Sequence, residues 1–348
     1  MISQMGLGIA TAVERLPRIR LLHLPTPLIE AEELSRRLGG PRIFIKRDDM
    51  TGFALGGTKG RMLEFHMAVA KQRSCDVVIL HADAQSNYSR QLAAAASRLG
   101  MKALLLLDAS EHQEVQGNLL LDRLLGAEIR LVGHMENMFS DEAITKLDEL
   151  HEDTVQALRR QGHRPLVIDK WYRPSIWSVV GAITCGLELS TQLSEAKLSA
   201  DYVFVAVGSG ATYAGLLVGV RACGLATKVA GVTITEKREE LRSAIVSRAH
   251  EAAEFLGVEV GLSPDEIALY EEYAGAGYGI PSAQGNQAIA LLAQTEGIFL
   301  DPVYTGKAMS GLIDQVRGGR IGGDKTVVFL HTGGTPALFA YSRELADC

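Results

Sequence analysis

Strand-length apolar runs alternate with helix-length stretches along nearly the whole chain, and this alternation restricts the fold more than any other feature. Arg42 to Lys46 reads as a strand, and Gly60 to Gln72 as a helix with Met62, Phe65, His66 and Val69 near one face. Val77 to His81, Lys102 to Leu107 and Glu128 to Val132 read as further strands. Among them lie an alanine-rich helix, Ser89 to Leu99, ended by Gly100, and a helix from about Val115 to Leu125. A long polar helix runs from about Asp141 to Arg160, with Ser140 as its N-cap. The pattern then restarts: helix Trp177 to Leu193, strand Tyr202 to Val207, helix Thr212 to Arg221, strand Val229 to Ile234, charged helix Lys237 to Phe255. Helix Ala283 to Glu296 and a strand at Val327 to Leu330 follow. Such an order predicts an α/β chain, with parallel-rich sheets flanked by helices on both faces. No internal repeat and no low-complexity linker marks a domain boundary.

Bulk properties narrow the function classes. At 348 residues the chain is long enough for two domains with ordinary cores. Hydrophobic residues make up 47% and charged residues 22%, the balance of a soluble globular chain. A net charge of -6 with no long basic run argues against nucleic acid as a partner. The start, Met1-Ile2-Ser3-Gln4-Met5-Gly6, lacks the basic stretch and apolar core of a signal peptide. Apolar runs such as Tyr202 to Val207 are far too short to cross a bilayer, so no membrane is expected. Cys75, Cys185, Cys223 and Cys348 are scattered without Cys-x-x-Cys spacing. That argues against zinc and against a disulfide framework, and fits reduced thiols in a cytoplasm. The histidines lack His-x-x-x-His spacing, and His331 reads as a satisfied buried histidine; no metal is expected.

Six segments could carry chemistry. In Ala54-Leu55-Gly56-Gly57-Thr58-Lys59-Gly60-Arg61 a lysine follows a glycine pair and opens a helix. Glycines allow positive φ and close approach of a ligand, and a helix start turns free N–H groups toward it. Lys59 is an ordinary loop lysine, a phosphate clamp or, with a lowered pKa, a Schiff-base nucleophile. Val207-Gly208-Ser209-Gly210-Ala211-Thr212-Tyr213 lies between a strand and a helix and forms either a tight turn or a nest for an anion. It is neither the dinucleotide fingerprint, because residue 213 is Tyr, nor a Walker loop, because it has no lysine. In Gln85-Ser86-Asn87-Tyr88-Ser89-Arg90 the residues sit where N-caps fall, and where a carboxylate cradle would fall too. Tyr278 in Gly275 to Pro281, Tyr304 in Asp301 to Lys307, and His331 to Pro336 complete the set. Ligands of α/β sheets gather where these loops lie, at the C-terminal ends of strands.

In this order the segments resemble the 1-aminocyclopropane-1-carboxylate deaminase / D-cysteine desulfhydrase family. These are pyridoxal phosphate enzymes related to the tryptophan synthase β subunit. The resemblance rests on Pro25-Thr26-Pro27-Leu28, Ile45 to Gly52, the Gly-Gly-Thr-Lys site, Gln85-Ser86-Asn87, Gly208 to Thr212, the Tyr278 loop, Tyr304-Thr305-Gly306-Lys307 and His331 to Gly334. It runs from about Leu24 to Tyr341. It implies that Lys59 holds pyridoxal 5'-phosphate covalently and shuttles the Cα proton, with Lys46 as an alternative by residue type only. It implies cofactor contacts from Asn87, from Gly208, Ser209, Gly210, Ala211 and Thr212, and from Thr305 and Thr332. Gln85, Ser86, Asn87 and Tyr88 would face the substrate, with Ser86, Tyr278 and Tyr304 as catalytic partners of Lys59.

Ring-opening deaminases of the family have Glu after the second tyrosine and Leu after the histidine, whereas this chain has Thr305 and Thr332, as desulfhydrases do. A Glu keeps the pyridine nitrogen protonated and the ring a strong electron sink. A threonine hydroxyl leaves a weaker sink, which suffices when a good leaving group departs from Cβ. Thr58, Tyr88 and Ala211 stand where the family usually has Asn, His and Gly. The largest departure is Asp169-Lys170-Trp171-Tyr172-Arg173-Pro174-Ser175-Ile176-Trp177, in place of a Gly-Gly-Ser-Asn-type segment. These side chains either pack a domain interface or reshape the substrate pocket, where Arg173 would hold a second anionic group.

The expected fold is therefore tryptophan synthase β-like, fold type II. A large domain would comprise residues 1–60 and 175–348, and a smaller inserted one 61–174, with the cofactor between them. The expected activity is β-elimination from a small β-substituted amino acid, giving pyruvate, ammonia and the leaving group. D-Cysteine is the first candidate, and cysteate or chloroalanine the next. A racemase, a β-replacement enzyme and a non-catalytic binding protein on the same fold are the competitors. A cytoplasmic homodimer is the expected form.

Overall fold

The computed structural model describes residues 3–108, 114–133, 140–235 and 239–346. Its strands are β1 (Leu28–Glu30), β2 (Arg42–Arg47), β3 (Val77–Asp83), β4 (Lys102–Asp108), β5 (Glu128–Val132), β6 (Pro165–Val167), β7 (Tyr202–Val207), β8 (Lys228–Thr233), β9 (Ala268–Tyr270) and β10 (Thr326–His331). They form a six-stranded sheet, β1-β2-β10-β7-β8-β9, and a four-stranded sheet, β5-β4-β3-β6. Every pairing is parallel except β1 with β2. The parallel-rich α/β architecture expected from the alternation is thus what the chain adopts. The strands of the smaller sheet all come from one stretch, 77–167, between two sets of strands of the larger one.

The α-helices of seven residues or more are α1 (Gln4–Glu14), α2 (Glu32–Leu38), α3 (Lys59–Gln72), α4 (Asn87–Arg98), α5 (Gly117–Leu124), α6 (Asp141–Arg160), α7 (Ile176–Glu195), α8 (Ala211–Ala222), α9 (Leu241–Phe255), α10 (Ala283–Glu296) and α11 (Thr305–Arg317). They cover both faces of each sheet, which is why the strands read as unbroken apolar runs. In β7, Val203 and Val205 pack with Ile183 of α7 and Leu216 of α8. Phe204 between them packs on the other face with Leu292 of α10 and Leu312 of α11. In the smaller sheet Val78 and Leu80 meet Leu63 and Leu92 of α3 and α4, while Val77 and Ile79 meet Val155 and Leu158 of α6. Helices α7 and α8 approach so closely that a methyl on Gly219 would lie 2.9 Å from the Cα of Gly186.

Six of these elements are not expected from the sequence: α1, β1, α2, β6, β9 and α11. Strands β1, β6 and β9 have three residues each, too few to show a period. Helix α11 carries Gly306 and Gly311, poor helix formers that weaken the signal. Packing explains one of them: a Cβ on Gly311 would fall 2.8 Å from Val232. The charged helix expected from Lys237 is described only as α9, and Lys237 lies outside the described residues, as do Met1, Ile2 and Cys348.

A buried ionic network joins the two halves of the chain. Arg61 of α3 pairs through Nε and Nη2 with Asp48, at 2.8 Å each, and through Nη1 and Nη2 with Glu188 of α7, at 3.1 and 2.9 Å. Lys46 of β2 bonds Glu188, Gln192 and the Thr26 carbonyl. Burial alone would raise the Asp48 and Glu188 carboxyls, but the Arg61 guanidinium holds both below their ordinary values. A carboxyl with a depressed folded-state pKa stabilises the fold above its unfolded value, and that stability is lost as pH falls through the folded one. Glu188→Ala should therefore cost about 3–5 kcal/mol at neutral pH, because it strands buried cations. Glu188→Gln should flatten the loss of stability that the parent shows below roughly pH 4. Urea titrations at pH 7 and at acid pH measure both.

Candidate active site

The turns after β2, β3, β7 and β10 converge on one cavity of about 170 Å³. Lys59, Ser86, Asn87 and Tyr88 line it, as do Tyr278 and Tyr304. The whole loop Gly208 to Thr212 lines it too, with Thr332 from the turn after β10. Residues far apart in sequence are thus brought to one place.

Lys59 is the first residue of α3. The approach to it uses left-handed backbone, φ +73° at Gly56 and +124° at Gly57. A Cβ on Gly56 would overlap the Asp49 carbonyl at 1.7 Å. The Gly56 carbonyl accepts from Arg90 and Gln91 of α4, and the Thr58 N–H donates to the Thr332 carbonyl. The turn is therefore pinned to both sheets' neighbourhoods, and Lys59 with it. Among the described residues its amine meets the Met62 sulfur at 4.0 Å and the Tyr88 ring, 5.3 Å from Nζ to the centroid. Burial lowers its pKa, with the charge of Asp169 opposing the shift. Lys46, the alternative by type, is fully buried with its amine spent on three acceptors. Lys59 alone of the two has a free nucleophile.

Two helix starts face the same space. At α8, Gly210 is the N-cap at φ +89° and no side chain caps the helix, so its first N–H groups are left for a ligand. The Thr58 hydroxyl, buried at the cavity wall, has no partner among the described residues either. At α4, Ser86 is the N-cap, its Oγ accepting from Tyr88 and Ser89 N–H at 3.1 and 3.3 Å. The capping role is real, and the hydroxyl proton is still available. Asn87 accepts from Arg90 and Asn118 on its carboxamide oxygen, so its NH2 is the end offered to the cavity. Tyr278 and Tyr304 share a hydroxyl hydrogen bond of 2.6 Å, and burial raises the pKa of both. His331 is satisfied by the Phe299 carbonyl and the Gly333 N–H.

Three expected site residues lie off the cavity wall. Gln85 turns its carboxamide to the Gln116 carbonyl and the Asn118 N–H. Thr305 is fully buried, its hydroxyl donating to Asp301 at 2.6 Å and accepting from the Asp301 N–H. Arg173 is largely exposed, 3.5 Å from Asp148 and over the Tyr172 ring, so a second anion clamp is not placed there. Conversely, Asp169 and Trp171 line the cavity, as the pocket-reshaping alternative for their segment requires, and so do His81, Asp108 and Ser178, for which the sequence suggested no role. Asp169 and Trp171 lie in the segment that departs from the family pattern, which was the available signal. His81 and Asp108 sit at or near ends of strands β3 and β4, and nothing in their spacing pointed to each other.

The family described as pyridoxal-phosphate dependent enzyme matches residues 19–333. This chain is a member of that family. A D-cysteine desulfhydrase of Yersinia enterocolitica is 39% identical over 336 residues, covering 94% of this chain and 97% of the relative. One from Klebsiella pneumoniae is 38% identical, covering 95% and 98%. A crystal structure of a homologue of ACC deaminase superposes with TM-score 0.87 at 33% identity, over 98% of both chains. The processed form of threonine deaminase isoform 2 from Solanum lycopersicum, at 19% identity and TM-score 0.66, shares the fold. The chain is thus a pyridoxal phosphate enzyme, and its cavity suits that group: one uncommitted lysine amine, one uncapped glycine-rich helix start and an orphaned Thr58 hydroxyl.

Borohydride treatment of the purified protein should fix cofactor mass to the peptide containing Lys59; mass on the Lys46 peptide would refute this assignment. A charge effect should accompany it. Asp169 pushes the Lys59 pKa back up against burial, so Asp169→Asn should lower it further. More amine is then neutral at a given pH. The pH midpoint for covalent cofactor capture by the apoprotein, followed by absorbance, should therefore move down.

Proposed function

We propose that this enzyme catalyses β-elimination on a small β-substituted amino acid, with D-cysteine first, giving pyruvate, ammonia and sulfide. The observation that carries the reading is the free, half-buried Lys59 amine beside the Ser86–Asn87 helix start, in a chain 37–39% identical to proteins named D-cysteine desulfhydrase. Bound pyridoxal phosphate supplies an electron sink for the pair left at Cα. The N–H groups opening α8, with Ser209, Thr212 and Thr58, hold its phosphate. Ser86 and the Asn87 amide, at the positive end of α4, hold the substrate carboxylate. Lys59 takes the Cα proton: burial favours its neutral, basic form, and the Tyr88 face receives the ammonium once it is charged. The Tyr278–Tyr304 pair stays protonated and can give a proton to the departing β-group.

Two side chains rank the substrates. Because Arg173 faces solvent, it does not hold an anionic β-group such as that of cysteate, and D-cysteine moves ahead of it. Thr332 lines the cavity where ring-opening relatives carry Leu, and Thr305 is tied to Asp301, so neither supplies the carboxylate that a strong sink requires. We also assign the large domain to residues 1–60 and 175–348 and the smaller one to 61–174, with the two sheets in support. A cytoplasmic homodimer remains our reading, supported by free Cys75, Cys185 and Cys223 and by the family resemblance. No helix among the described residues is long and apolar enough to cross a membrane. Light scattering tests the dimer.

A panel of D- and L-β-substituted alanines assayed for keto acid tests the reaction. Pyruvate from D-cysteine is expected; an epimerised or substituted amino acid without keto acid would instead indicate racemisation or replacement. With 1-aminocyclopropane-1-carboxylate, turnover should be at least about 100-fold slower, equivalent to ~2.7 kcal/mol in barrier. Comparable rates on both substrates would refute the threonine argument.

A further inference from the structure

Trp171 is part of the cavity wall, together with His81 and Asp108. These three side chains form a hydrogen-bonded chain that runs in one direction. The Trp171 indole Nε1 lies 3.3 Å from His81 Nδ1, and His81 Nε2 lies 2.8 Å from Asp108 Oδ1. An indole N–H only donates, and a carboxylate only accepts. Both bonds are made together only by a neutral imidazole with its proton on Nε2. His81 and Asp108 are 3% and 6% exposed, so this is a buried relay fixed on two neighbouring parallel strands. The ring of His151 packs edge-on against His81 at 5.9 Å, and Tyr172 packs edge-on against the indole at 5.3 Å. Burial lowers the His151 pKa to about 4, so His151 itself carries no charge beside His81 at neutral pH. Tyr172 is itself bonded to Asp148, which also pairs with Lys170 and Arg173. The indole is therefore braced from two sides.

We propose that Trp171, oriented by His81 and Asp108, is a specificity wall that limits the size of the β-substituent the site accepts. The inference rests on the β-elimination reading and deepens it. With its N–H committed to His81, the indole offers the substrate only apolar surface, beside Met62, Leu80 and Pro174. The adjacent cation, Arg173, is turned away. A wall of this kind admits a thiol or another small uncharged leaving group and rejects long S-alkyl or S-aryl groups. His81 and Asp108 act through the indole, as positioning residues.

The test compares the holoenzymes on D-cysteine and S-benzyl-D-cysteine, as the ratio of kcat/KM for pyruvate release. In Trp171→Ala the ratio should shift toward the bulky substrate by about 10-fold or more, the scale of discrimination by a few carbon atoms in an apolar pocket. Trp171→Leu, a milder truncation, carries the same expectation in smaller measure. His81→Ala should shift the ratio in the same direction, mainly through KM of the bulky substrate. His81→Gln, whose amide can accept from the indole and donate to Asp108, should restore the parent ratio. A purely structural role for His81 would lower kcat/KM on both substrates alike. Parent-like ratios in the Trp171 variants, with cofactor bound and D-cysteine still turned over, would overturn the wall while leaving the elimination reading intact. A parent enzyme that releases no pyruvate from either substrate would overturn both.

Discussion

The site depends on how Arg61 is held. Its guanidinium is fully buried between two carboxylates, Asp48 from the turn after β2 and Glu188 from α7. A guanidinium suits this role because its planar fork bonds two carboxylates at once and it stays charged when buried. Lys46 supplies the second positive charge, and Thr26 bridges Asp48 and Glu188 through its hydroxyl. Two cations against two anions leave no net charge inside. Four sequence-distant segments are tied in register by these bonds, two residues from Lys59, the lysine we propose as the nucleophile.

That proximity links stability to function. Lys59 is two positions before Arg61, and the helix that Arg61 anchors begins at Lys59 itself. The turn before it cannot relax, because Gly57 N–H is bonded to the Asp48 carbonyl and to the Thr51 hydroxyl. Further along α3, Glu64 accepts from Arg18 and from the backbone of Leu21 and Leu22, tying the N-terminal segment to the same helix. The Lys59 amine has no acceptor among the described residues beyond the Met62 sulfur, whereas the Lys46 amine and the Arg61 guanidinium are both paired. Such an arrangement suits a nucleophile: the desolvation of Lys59 is opposed only by the charge of Asp169, whereas that of Lys46 is met by three direct acceptors.

Local rules made much of this legible. The strands with flanking helices showed as apolar runs because both faces of each sheet are covered, and the site loops showed because glycine is what a left-handed turn requires. Lys59, Ser86, Asn87, the Gly208 loop and both tyrosines were readable as segments, and the cavity gathers them. What could not be read was side-chain direction. Arg173 and Trp171 are two residues apart, yet one faces solvent and the other the cavity. Gln85 and Ser86 are adjacent, yet only Ser86 reaches the wall. Pairs made across strands, such as His81 with Asp108, leave no trace in spacing, because a parallel register is set by the fold as a whole. The three-residue strands and the glycine-bearing α11 escaped for the same reason: tertiary packing, not local preference, makes them.

The Asp301 turn shows how such direction is enforced. One carboxylate of Asp301 accepts from the N–H groups of Val303, Tyr304 and Thr305 and from the Thr305 hydroxyl. Gly334 closes the other side, where a Cβ would come within 2.4 Å of that carboxylate. Thr305 is thereby drawn inward to Asp301, and Tyr304 is left at the cavity surface, in reach of Tyr278. A larger acid at position 305 would meet the Asp301 carboxylate at close range. A ring-opening relative with Glu at the matching place must therefore solve that repulsion as well as present the new carboxylate. The difference between the two reactions belongs to the turn as a unit rather than to one side chain. Thr305 contributes to it from behind the wall, by fixing where Tyr304 stands.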